Sequence, residues 1–180
     1  MRRVMLSAII AMASVGTVFA EKGESAVGVN VGVAPCMESG VSLTNVGIGV
    51  KYQYNFTNAL RAEADFDYGF KAKGMSLWDV SANAHYLFNV TDKFTVYPLV
   101  GVGYASLKGE WGFDWDDDPS DYSRSYEKGG TATTGKFLVN FGIGAEYAVS
   151  SKISVGFEAK YQYIQDFSRL PLSIGVTYKF

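Results

Sequence analysis

A two-residue alternation runs through the sequence from residue 26 onward and constrains the fold more than any other feature. Large apolar side chains take every second position, and glycine or polar residues lie between them. The first segment shows this with valines: Val27, Gly28, Val29, Asn30, Val31, Gly32 and Val33. Successive side chains of a β-strand point to opposite faces, whereas one face of an α-helix recurs every three or four residues. The pattern therefore predicts strands rather than helices.

Eight segments carry this alternation, and the connections between them are unequal in length. The predicted strands cover residues 26–33, 46–56, 60–70, 78–88, 94–107, 136–147, 153–163 and 170–180. Residues 57–59, 89–93 and 148–152 form tight turns, while the alternate connections are longer and include the 27 residues 108–134. Short turns at one rim and longer loops at the other are typical of an up-and-down membrane barrel. Pro98 and Pro171 lie inside predicted strands, where each is expected to disturb the pairing.

The first twenty residues have the pattern of an export signal. Arg2 and Arg3 precede an uncharged, apolar stretch over residues 4–18, and Ala20 follows at a compact cleavage position. The stretch is shorter than the ~20 apolar residues that a membrane-spanning helix needs. We therefore expect a cleavable signal peptide over residues 1–20 and one barrel domain over residues 21–180.

The polar face decides which side of the barrel points outward. It holds five cations (Lys51, Arg61, Lys136, Lys160 and Lys179) and six anions (Glu63, Asp65, Asp67, Asp79, Glu146 and Glu158). These nearly balanced charges can pair inside a narrow barrel, or they can coat a soluble lipocalin-like carrier. Aromatic residues near the strand ends favour the first arrangement, because membrane barrels carry aromatic girdles at both interfaces. One rim would hold Phe56, Phe88, Phe94, Tyr147 and Phe180, and the other Phe70, Trp78, Tyr104 and Tyr163.

The sequence thus predicts an all-β fold, an eight-stranded antiparallel up-and-down transmembrane β-barrel preceded by a signal peptide. Its interior should be filled by a polar network. The residues expected in that network are Lys51, Arg61, Glu63, Asp65, Asp79, His85, Glu146, Glu158 and Lys160.

Three strand phrases, at residues 97–104, 140–147 and 176–180, resemble those of the small OmpA/OmpX-like outer-membrane barrels, the porin-family proteins. The resemblance covers about residues 24–180. It implies the outer membrane of a Gram-negative bacterium, contact with membrane lipid and lipopolysaccharide, and insertion by the barrel assembly machinery. In that family a C-terminal Phe on an aromatic last strand is the assembly signal, which Tyr178 and Phe180 match. The resemblance does not extend to the periplasmic peptidoglycan-binding domain of full-length OmpA-type proteins.

Candidate catalytic and metal-binding groups are few. His85 is the only histidine and lies on the polar face, so an interior structural role is expected rather than catalysis. Cys36 is the only cysteine, which excludes an intrachain disulfide and leaves intermolecular pairing open. We predict no enzymatic activity, no cofactor and no nucleic-acid partner.

The connection at residues 108–134 is both acidic and aromatic. It carries seven acidic and three basic residues, a net charge of −4. Clustered carboxylates suit calcium, but an EF-hand-like loop needs glycine and glutamate where Pro119 and Ser125 stand. We therefore expect no bound metal. Its aromatic residues are predicted to contact an extracellular protein partner: Trp111, Phe113, Trp115, Tyr122 and Tyr126.

Four functions remain open at this point. The favoured one is a non-enzymatic surface protein, a plugged scaffold whose long loop serves envelope integrity or adhesion to a partner or host. The main alternative is a narrow porin-like channel for ions or small solutes. A lipid-modifying envelope enzyme would depend on His85, and a soluble carrier would need the opposite orientation of the two faces.

Overall fold

The computed structural model describes residues 22–37, 44–111, 130–165 and 167–180. These residues form a single antiparallel sheet of ten β-segments. The segments are β1 (Ser25–Pro35), β2 (Thr44–Asn55), β3 (Leu60–Ala72), β4 (Met75–Tyr86), β5 (Phe88–Asn89), β6 (Phe94–Trp111), β7 (Gly130–Ala148), β8 (Ile153–Ile164), β9 (Phe167–Arg169) and β10 (Leu172–Lys179). None of the described residues belongs to a helix long and apolar enough to cross a membrane. The predicted signal peptide at residues 1–20 lies outside the described residues.

The sheet closes into a barrel because β10 pairs with both β1 and β8. Every other pairing joins neighbours along the chain, so the topology is up-and-down. Two barrel strands are interrupted: β5 continues β4, and β10 continues β9. The ten segments therefore make eight barrel strands, and the predicted eight-stranded antiparallel barrel is confirmed.

Both interruptions involve the prolines that the sequence analysis singled out. Pro98 lies opposite the gap between β4 and β5, where its missing N–H removes a ladder bond. Pro171 separates β9 from β10, and its carbonyl oxygen still accepts a hydrogen bond from the Lys160 N–H at 2.9 Å. The pairing register is the same on both sides of each gap. The prolines thus interrupt the ladder without shifting any side chain to the other face.

Three short turns lie at one rim and share one geometry. Short turns of bacterial membrane barrels face the periplasm, so this rim is the periplasmic one. In each, a backbone N–H closes the turn onto the carbonyl oxygen four residues on: Phe56 to Leu60 at 2.9 Å, Val90 to Phe94 at 2.8 Å and Val149 to Ile153 at 2.9 Å. The next residue is Thr57, Thr91 or Ser150, whose hydroxyl oxygen accepts backbone N–H groups within the turn. These side chains stand in for backbone partners, as serine and threonine commonly do in turns.

The opposite, outer rim differs in part from the prediction that its connections are the longer ones. Lys73 and Gly74, with φ of 47° and 81°, connect β3 to β4 as a two-residue hairpin turn in which both residues are left-handed. The connection from β8 to β9 is equally short, at residues 165–166. By contrast β6 and β7 are 18 and 19 residues long and pair from Phe94–Tyr147 to Trp111–Gly130. The predicted loop at residues 108–134 was therefore too long, because both of its ends are paired strand.

Side-chain burial follows the predicted inside-out arrangement. Large apolar side chains face outward along every barrel strand, for example Ile143 at 67% exposure and Val29 at 59%. Charged and amide side chains of the alternate positions are buried in the lumen. Aromatic residues predicted for the two rims are mostly exposed, with Phe88 half-buried. An exterior of this kind is stable only against lipid.

Candidate functional site

All nine residues predicted for the interior network lie on the inner face of the barrel. His85 and Asp79 are fully buried, and even the most accessible side chain of the set, that of Glu146, is only 9% exposed. Isolated charges are costly to bury, so each one needs a partner of opposite sign. The structure supplies these partners from facing walls of the lumen, in three layers along the barrel axis.

The middle layer connects β2, β3 and β8. Lys51 Nζ contacts Glu158 Oε1 at 2.6 Å and Glu63 Oε2 at 3.4 Å. Lys160 Nζ contacts Asp65 Oδ2 at 2.6 Å and Glu158 Oε2 at 3.6 Å. The two lysines and three carboxylates therefore form one continuous group that spans the lumen.

Amide and hydroxyl groups complete the hydrogen bonding of the middle layer. Gln53 Nε2 donates to Glu63 Oε2 at 2.8 Å, and Asn83 Nδ2 donates to Asp65 Oδ2 at 2.9 Å. The Tyr97 hydroxyl donates to Glu158 Oε1 at 2.8 Å. A polar group that is satisfied in this way holds its walls together, whereas a half-satisfied one would be worse than an apolar filling.

The periplasmic layer is built around Arg61. Its Nη1 contacts Glu146 Oε2 at 2.9 Å across the barrel, and its Nε donates to Asn55 Oδ1 at 3.1 Å. The guanidinium carbon lies 5.8 Å from the ring centre of Tyr97, which stacks on His85 at 4.7 Å between ring centres. This layer closes the end of the lumen that faces the periplasmic turns.

His85 has a structural environment with no access to solvent. Its Nε2 lies 3.5 Å from Glu63 Oε1, and its ring is covered by Tyr97. A catalytic histidine must reach a substrate, and this one is 0% exposed. The placement agrees with the interior position that the strand alternation indicates.

The outer layer contains an arginine that the sequence analysis missed. Arg169, in β9, contacts Asp79 Oδ2 at 2.5 Å through Nη2 and donates through Nε to Gln162 Oε1. Gln162 Nε2 also donates to Asp79 Oδ1, at 3.0 Å. The predicted strand began at Leu170, after Arg169. Extending the alternation backward from Ser173 through Pro171 would have placed Arg169 on the polar face.

Two apolar clusters, also missed, are buried in the barrel, one in its outer half and one beside the layer built around Arg61. The outer cluster joins inward-facing residues of β4, β6, β7 and β8: Leu77, Ala105, Leu138 and Ile164. The periplasmic cluster contains Leu87, Tyr97 and Leu99. The sequence analysis assigned large apolar residues to the lipid face, but these leucines occupy the alternate positions of their strands, whose side chains point inward.

Three carboxylates of the lumen lie close enough together to resemble a metal site. Asp65, Asp67 and Asp79 place oxygen atoms within 4.8 Å of one another. Each already has a cation beside it, because Lys160 contacts Asp65 and Asp67, at 2.6 and 4.0 Å, and Arg169 contacts Asp79. The chemistry of the donor set is therefore that of an ion-pair network.

Two cavities of the described barrel lie along its axis, one in the lumen and one at the periplasmic mouth. A cavity of about 50 Å³ lies in the outer half, beside Asp67, Lys160 and Arg169. A basin of about 600 Å³ opens between two of the short turns, at residues 89–93 and 148–152, and the two ends of the barrel; its charged lining includes Lys93, Lys152 and Glu146. The cavity in the lumen accommodates roughly one or two water molecules. The geometry therefore favours closure of the lumen.

One of the five predicted partner-contact residues lies in the long hairpin of β6 and β7. Trp111 is the last residue of β6, where it pairs with Gly130 rather than lying in a loop. Phe113, Trp115, Tyr122 and Tyr126 lie outside the described residues. The described part of the hairpin extends beyond the pairing of β6 with β4, which ends at Gly109, and of β7 with β8, which ends at Leu138.

At the periplasmic end, the last strand brings Tyr178 and Phe180 to the lipid-facing surface. Phe180 is 65% exposed, and its N–H donates to the Ser25 carbonyl oxygen at 2.9 Å. Tyr178 pairs with Val27 in β1, and the centre of its ring lies 5.9 Å from Lys152 Nζ. Both residues proposed as an assembly signal are therefore on one accessible edge of the rim.

A closed antiparallel barrel with an apolar exterior and charged, paired interior defines the class of β-barrel membrane proteins. The sequence matches the family described as outer membrane protein beta-barrel domain over residues 4–180. The chain belongs to this family, and its place is the outer membrane of a Gram-negative bacterium. Among curated proteins, none matches the chain in sequence.

Solved structures of small outer-membrane barrels have the same fold. Neisserial surface protein A is similar with a TM-score of 0.70 and 19% identity, over 88% of this chain and 100% of that one. Ail, the attachment invasion locus protein of Yersinia pestis, is similar with a TM-score of 0.61 and 18% identity, over 88% and 99% of the two chains. The N-terminal barrel of Pseudomonas aeruginosa OprF gives 0.56 and 15%, over 88% and 100%. At these identities the likeness extends to the fold.

Proposed function

We propose that this protein is a non-enzymatic surface protein of the outer membrane, in which a plugged barrel supports a projecting hairpin that contacts a partner. One observation carries the proposal. Ion pairs cross the lumen in three layers with apolar clusters packed beside them, while β6 and β7 continue past the other strands on the outer side. The barrel is thus built to hold the hairpin rather than to pass solute.

The charge of the hairpin connection points to the chemistry of the partner. Residues 108–134, which include the outer ends of β6 and β7, carry a net charge of −4 together with five aromatic residues. One similar structure shows Ail bound to the heparin analogue sucrose octasulfate, a polyanion. An acidic connection would repel such a ligand. We therefore infer that this protein contacts a neutral or basic protein surface, with the aromatic residues as the apolar part of the contact.

Two further partners belong to the proposal. Lipid, including lipopolysaccharide, would cover the apolar exterior, as the exposed valines and isoleucines require. The barrel assembly machinery would insert the chain and recognise Tyr178 and Phe180. No cofactor and no metal take part.

Conductance across a planar lipid bilayer tests the closed lumen. The folded wild-type protein should give no steady single-channel conductance, because the charged layers leave room for only a few water molecules. A matched variant, Leu77→Ser with Leu138→Ser, should remain closed if the polar layers alone suffice for closure. Regular conductance steps from the wild-type protein would contradict the plug and support the narrow channel instead.

Binding of cells that display the protein tests the hairpin contact. Cells carrying the wild-type chain should adhere to a surface coated with basic protein more strongly than cells carrying Trp115→Ser with Tyr122→Ser. A control variant, Phe141→Leu, changes a lipid-facing aromatic residue and should adhere like the wild type. Equal adhesion of all three would show that the connection makes no such contact.

A further inference from the structure

The lipid-facing surface of the barrel has a groove on the wall formed by β10, β1 and β2. Two overlapping cavities of about 640 and 710 Å³ lie over this wall, and their linings share Val29, Val50, Phe66 and Val176. They therefore form one continuous groove. Its floor is a strip of short apolar side chains in neighbouring outward positions: Val27, Val29 and Val31 on β1, Ile48 and Val50 on β2, and Ile174 and Val176 on β10.

Larger side chains border this valine strip on both sides. Phe66 and Tyr68 of β3 pair with the β2 residues of the strip, and Phe157 of β8 pairs with Ile174 of β10. Because aromatic side chains stand farther out from the sheet than valine, the strip is recessed between them. From Val27 to Val31 it is about 13 Å long, close to the ~15 Å of hydrocarbon that one leaflet contributes to a bilayer.

The periplasmic end of the groove carries hydroxyl groups. Tyr178 and Tyr52 stand on either side of Val27, and both line the groove. The Tyr52 hydroxyl shares a hydrogen bond of 3.1 Å with Ser25 Oγ. One hydroxyl hydrogen is enough for that bond, so the other can be donated to a ligand.

Lys152 supplies a positive charge at the same end. Its Nζ lies 5.9 Å from the centre of the Tyr178 ring, and its side chain is exposed. Among the residues that the structure describes, no carboxylate forms an ion pair with Lys152. Glu24, next to Ser25 in the chain, is instead paired with Lys179 Nζ at 3.5 Å. The apolar groove therefore ends at a cation and a hydroxyl donor, which together suit an anion.

We propose that the groove binds an anionic phospholipid of the inner leaflet. One acyl chain would lie on the valine strip, and the phosphate group would contact Lys152 and the hydroxyl pair of Ser25 and Tyr52. Neighbouring strands are about 4.8 Å apart, so a phosphate placed over β1 is within reach of groups on both sides. The leaflet follows from the position of the polar end at the periplasmic rim. This site has a defined place and a preference for headgroup charge, and it is independent of the hairpin contact.

A second copy of the chain fits this wall less well than a lipid does. Two recessed strips placed face to face would touch through their aromatic borders and leave the valines apart. A two-fold axis along the membrane normal would also bring the Lys152 side chains of both copies to the same rim of the interface, without a complementary charge. A single acyl chain is narrow enough to fill the recess, and a phosphate complements the lysine.

Paramagnetic broadening in lipid nanodiscs tests the site on the full chain. The nanodiscs consist of phosphatidylcholine with a small fraction of spin-labelled phosphatidylglycerol or, in a parallel sample, of spin-labelled phosphatidylcholine. The ratio of the two broadenings is measured at the methyl groups of Val29 and Val102. Val102 is the internal control, because it lies on β6, opposite β1 in the ring of strands, and is 51% exposed against 59% for Val29. Phosphatidylglycerol should be preferred several-fold at Val29 and not at Val102.

Two pairs of variants separate the headgroup from the acyl chain. Lys152→Gln should lower the preference for phosphatidylglycerol about fivefold, the effect of one lysine near an anionic lipid surface. Lys93→Gln removes an exposed lysine of another periplasmic turn and should not change the preference. Val29→Phe fills the recess and should reduce the broadening of Val27 and Val31 by both labelled lipids, whereas Val102→Phe should not. Heat-modifiable migration on a gel establishes that each barrel is folded.

Several results would overturn the inference. These are equal ratios at Val29 and Val102 in the wild type, equal effects of Lys152→Gln and Lys93→Gln, or broadening that Val29→Phe leaves unchanged. Contacts between the Val29 methyl groups of two copies would assign the wall to a second copy instead. Failure of the adhesion expected of the hairpin would contradict the proposed function but would leave this lipid test intact.

Discussion

Lys160 contacts three carboxylates of the lumen, those of Asp65, Asp67 and Glu158. Its ammonium group lies within 4.0 Å of carboxylates on β3 and of Glu158 on its own strand. Replacement by methionine would keep the length of the side chain but leave Asp65 and Glu158 with less compensation. Loss of one partner from a buried ion pair costs about 3–5 kcal/mol.

We therefore expect Lys160→Met to lower the free energy of unfolding by about 3–5 kcal/mol, as measured by urea titration in micelles. Lys93→Met removes an exposed lysine of a periplasmic turn and should change stability by less than about 0.5 kcal/mol. The double variant Lys160→Met with Asp65→Asn should recover part of the loss. Equal effects of Lys160→Met and Lys93→Met would contradict the role of the network.

Gly144 gives a second residue-level prediction, because the ring of Tyr97 lies directly over it. A Cβ at this position would overlap the ring atoms of Tyr97. Gly144→Ala should therefore destabilise the barrel by about 1–3 kcal/mol, the usual cost of overpacking. Gly109→Ala is the matched control, since a Cβ there meets nothing within 4 Å. The comparison is made by thermal or urea unfolding, and equal stability of the two variants would refute the packing argument.

The alternation of the sequence predicts which face of a strand a charged residue occupies, but not which residue it contacts across the barrel. Alternation placed Lys51, Glu63 and Asp79 correctly on the inner face, because a strand alternates its faces whatever its neighbours are. It could not pair Lys51 with Glu158, since that contact depends on which walls face each other across the closed barrel. Arg169 was missed because the predicted last strand began at Leu170, one residue after it.

At the scale of elements, the three periplasmic turns are copies of one local structure. In each, a hydroxyl oxygen accepts the N–H groups of the residues two and three positions on, at 2.9–3.3 Å. Thr91→Val would keep the shape of the side chain and remove this acceptor. Exposed caps of this kind are worth about 1 kcal/mol.

We expect Thr91→Val to lower stability by about 1 kcal/mol and Thr91→Ser to leave it nearly unchanged. Combining the valine change with Thr57→Val should double the loss, because the turns lie far apart and share no partner. Urea unfolding followed by gel migration measures each variant. A loss caused equally by serine and valine would show that the methyl group, not the hydroxyl, stabilises the turn.

Element boundaries were predicted best where a turn is short. Residues 57–59 and 148–152 come directly from the break in alternation, and the strands end there as expected. The ends of β6 and β7 were not predictable in this way, because Lys108–Trp111 and Gly130–Thr134 alternate poorly. Their pairing with each other, as in Lys108 with Thr133, decides their structure.

For the whole molecule, the closing strand offers a test of assembly. Phe180 and Phe141 are both lipid-facing aromatic residues, at 65% and 54% exposure, but only Phe180 lies at the periplasmic end of the last strand. If Phe180 is part of an assembly signal, Phe180→Ala should lower the fraction of folded protein in the outer membrane several-fold. Phe141→Ala should insert nearly normally. Both purified chains should fold in detergent, which separates recognition from stability.

The measurement is membrane fractionation followed by heat-modifiable migration. Equal membrane levels of the two variants would remove Phe180 from the signal.

The overall fold itself needed little beyond the sequence, because an apolar exterior, a narrow polar lumen and eight strands leave one way to satisfy every backbone group in lipid. The filling of the lumen needed the structure, since Leu77 and Leu138 occupy inner positions that alternation alone reads as polar.

The outer rim has unequal walls, and this gives the barrel a direction within the plane of the membrane. The two-residue turn at Lys73 and Gly74 ends β3 and β4 low, whereas β6 and β7 rise on the neighbouring side. In the ring of eight strands, the valine-rich wall of β1 and β2 lies opposite the tall one. A partner bound to the tall wall would therefore lie on the side of the barrel away from the valine-rich wall, which would keep its full contact with lipid.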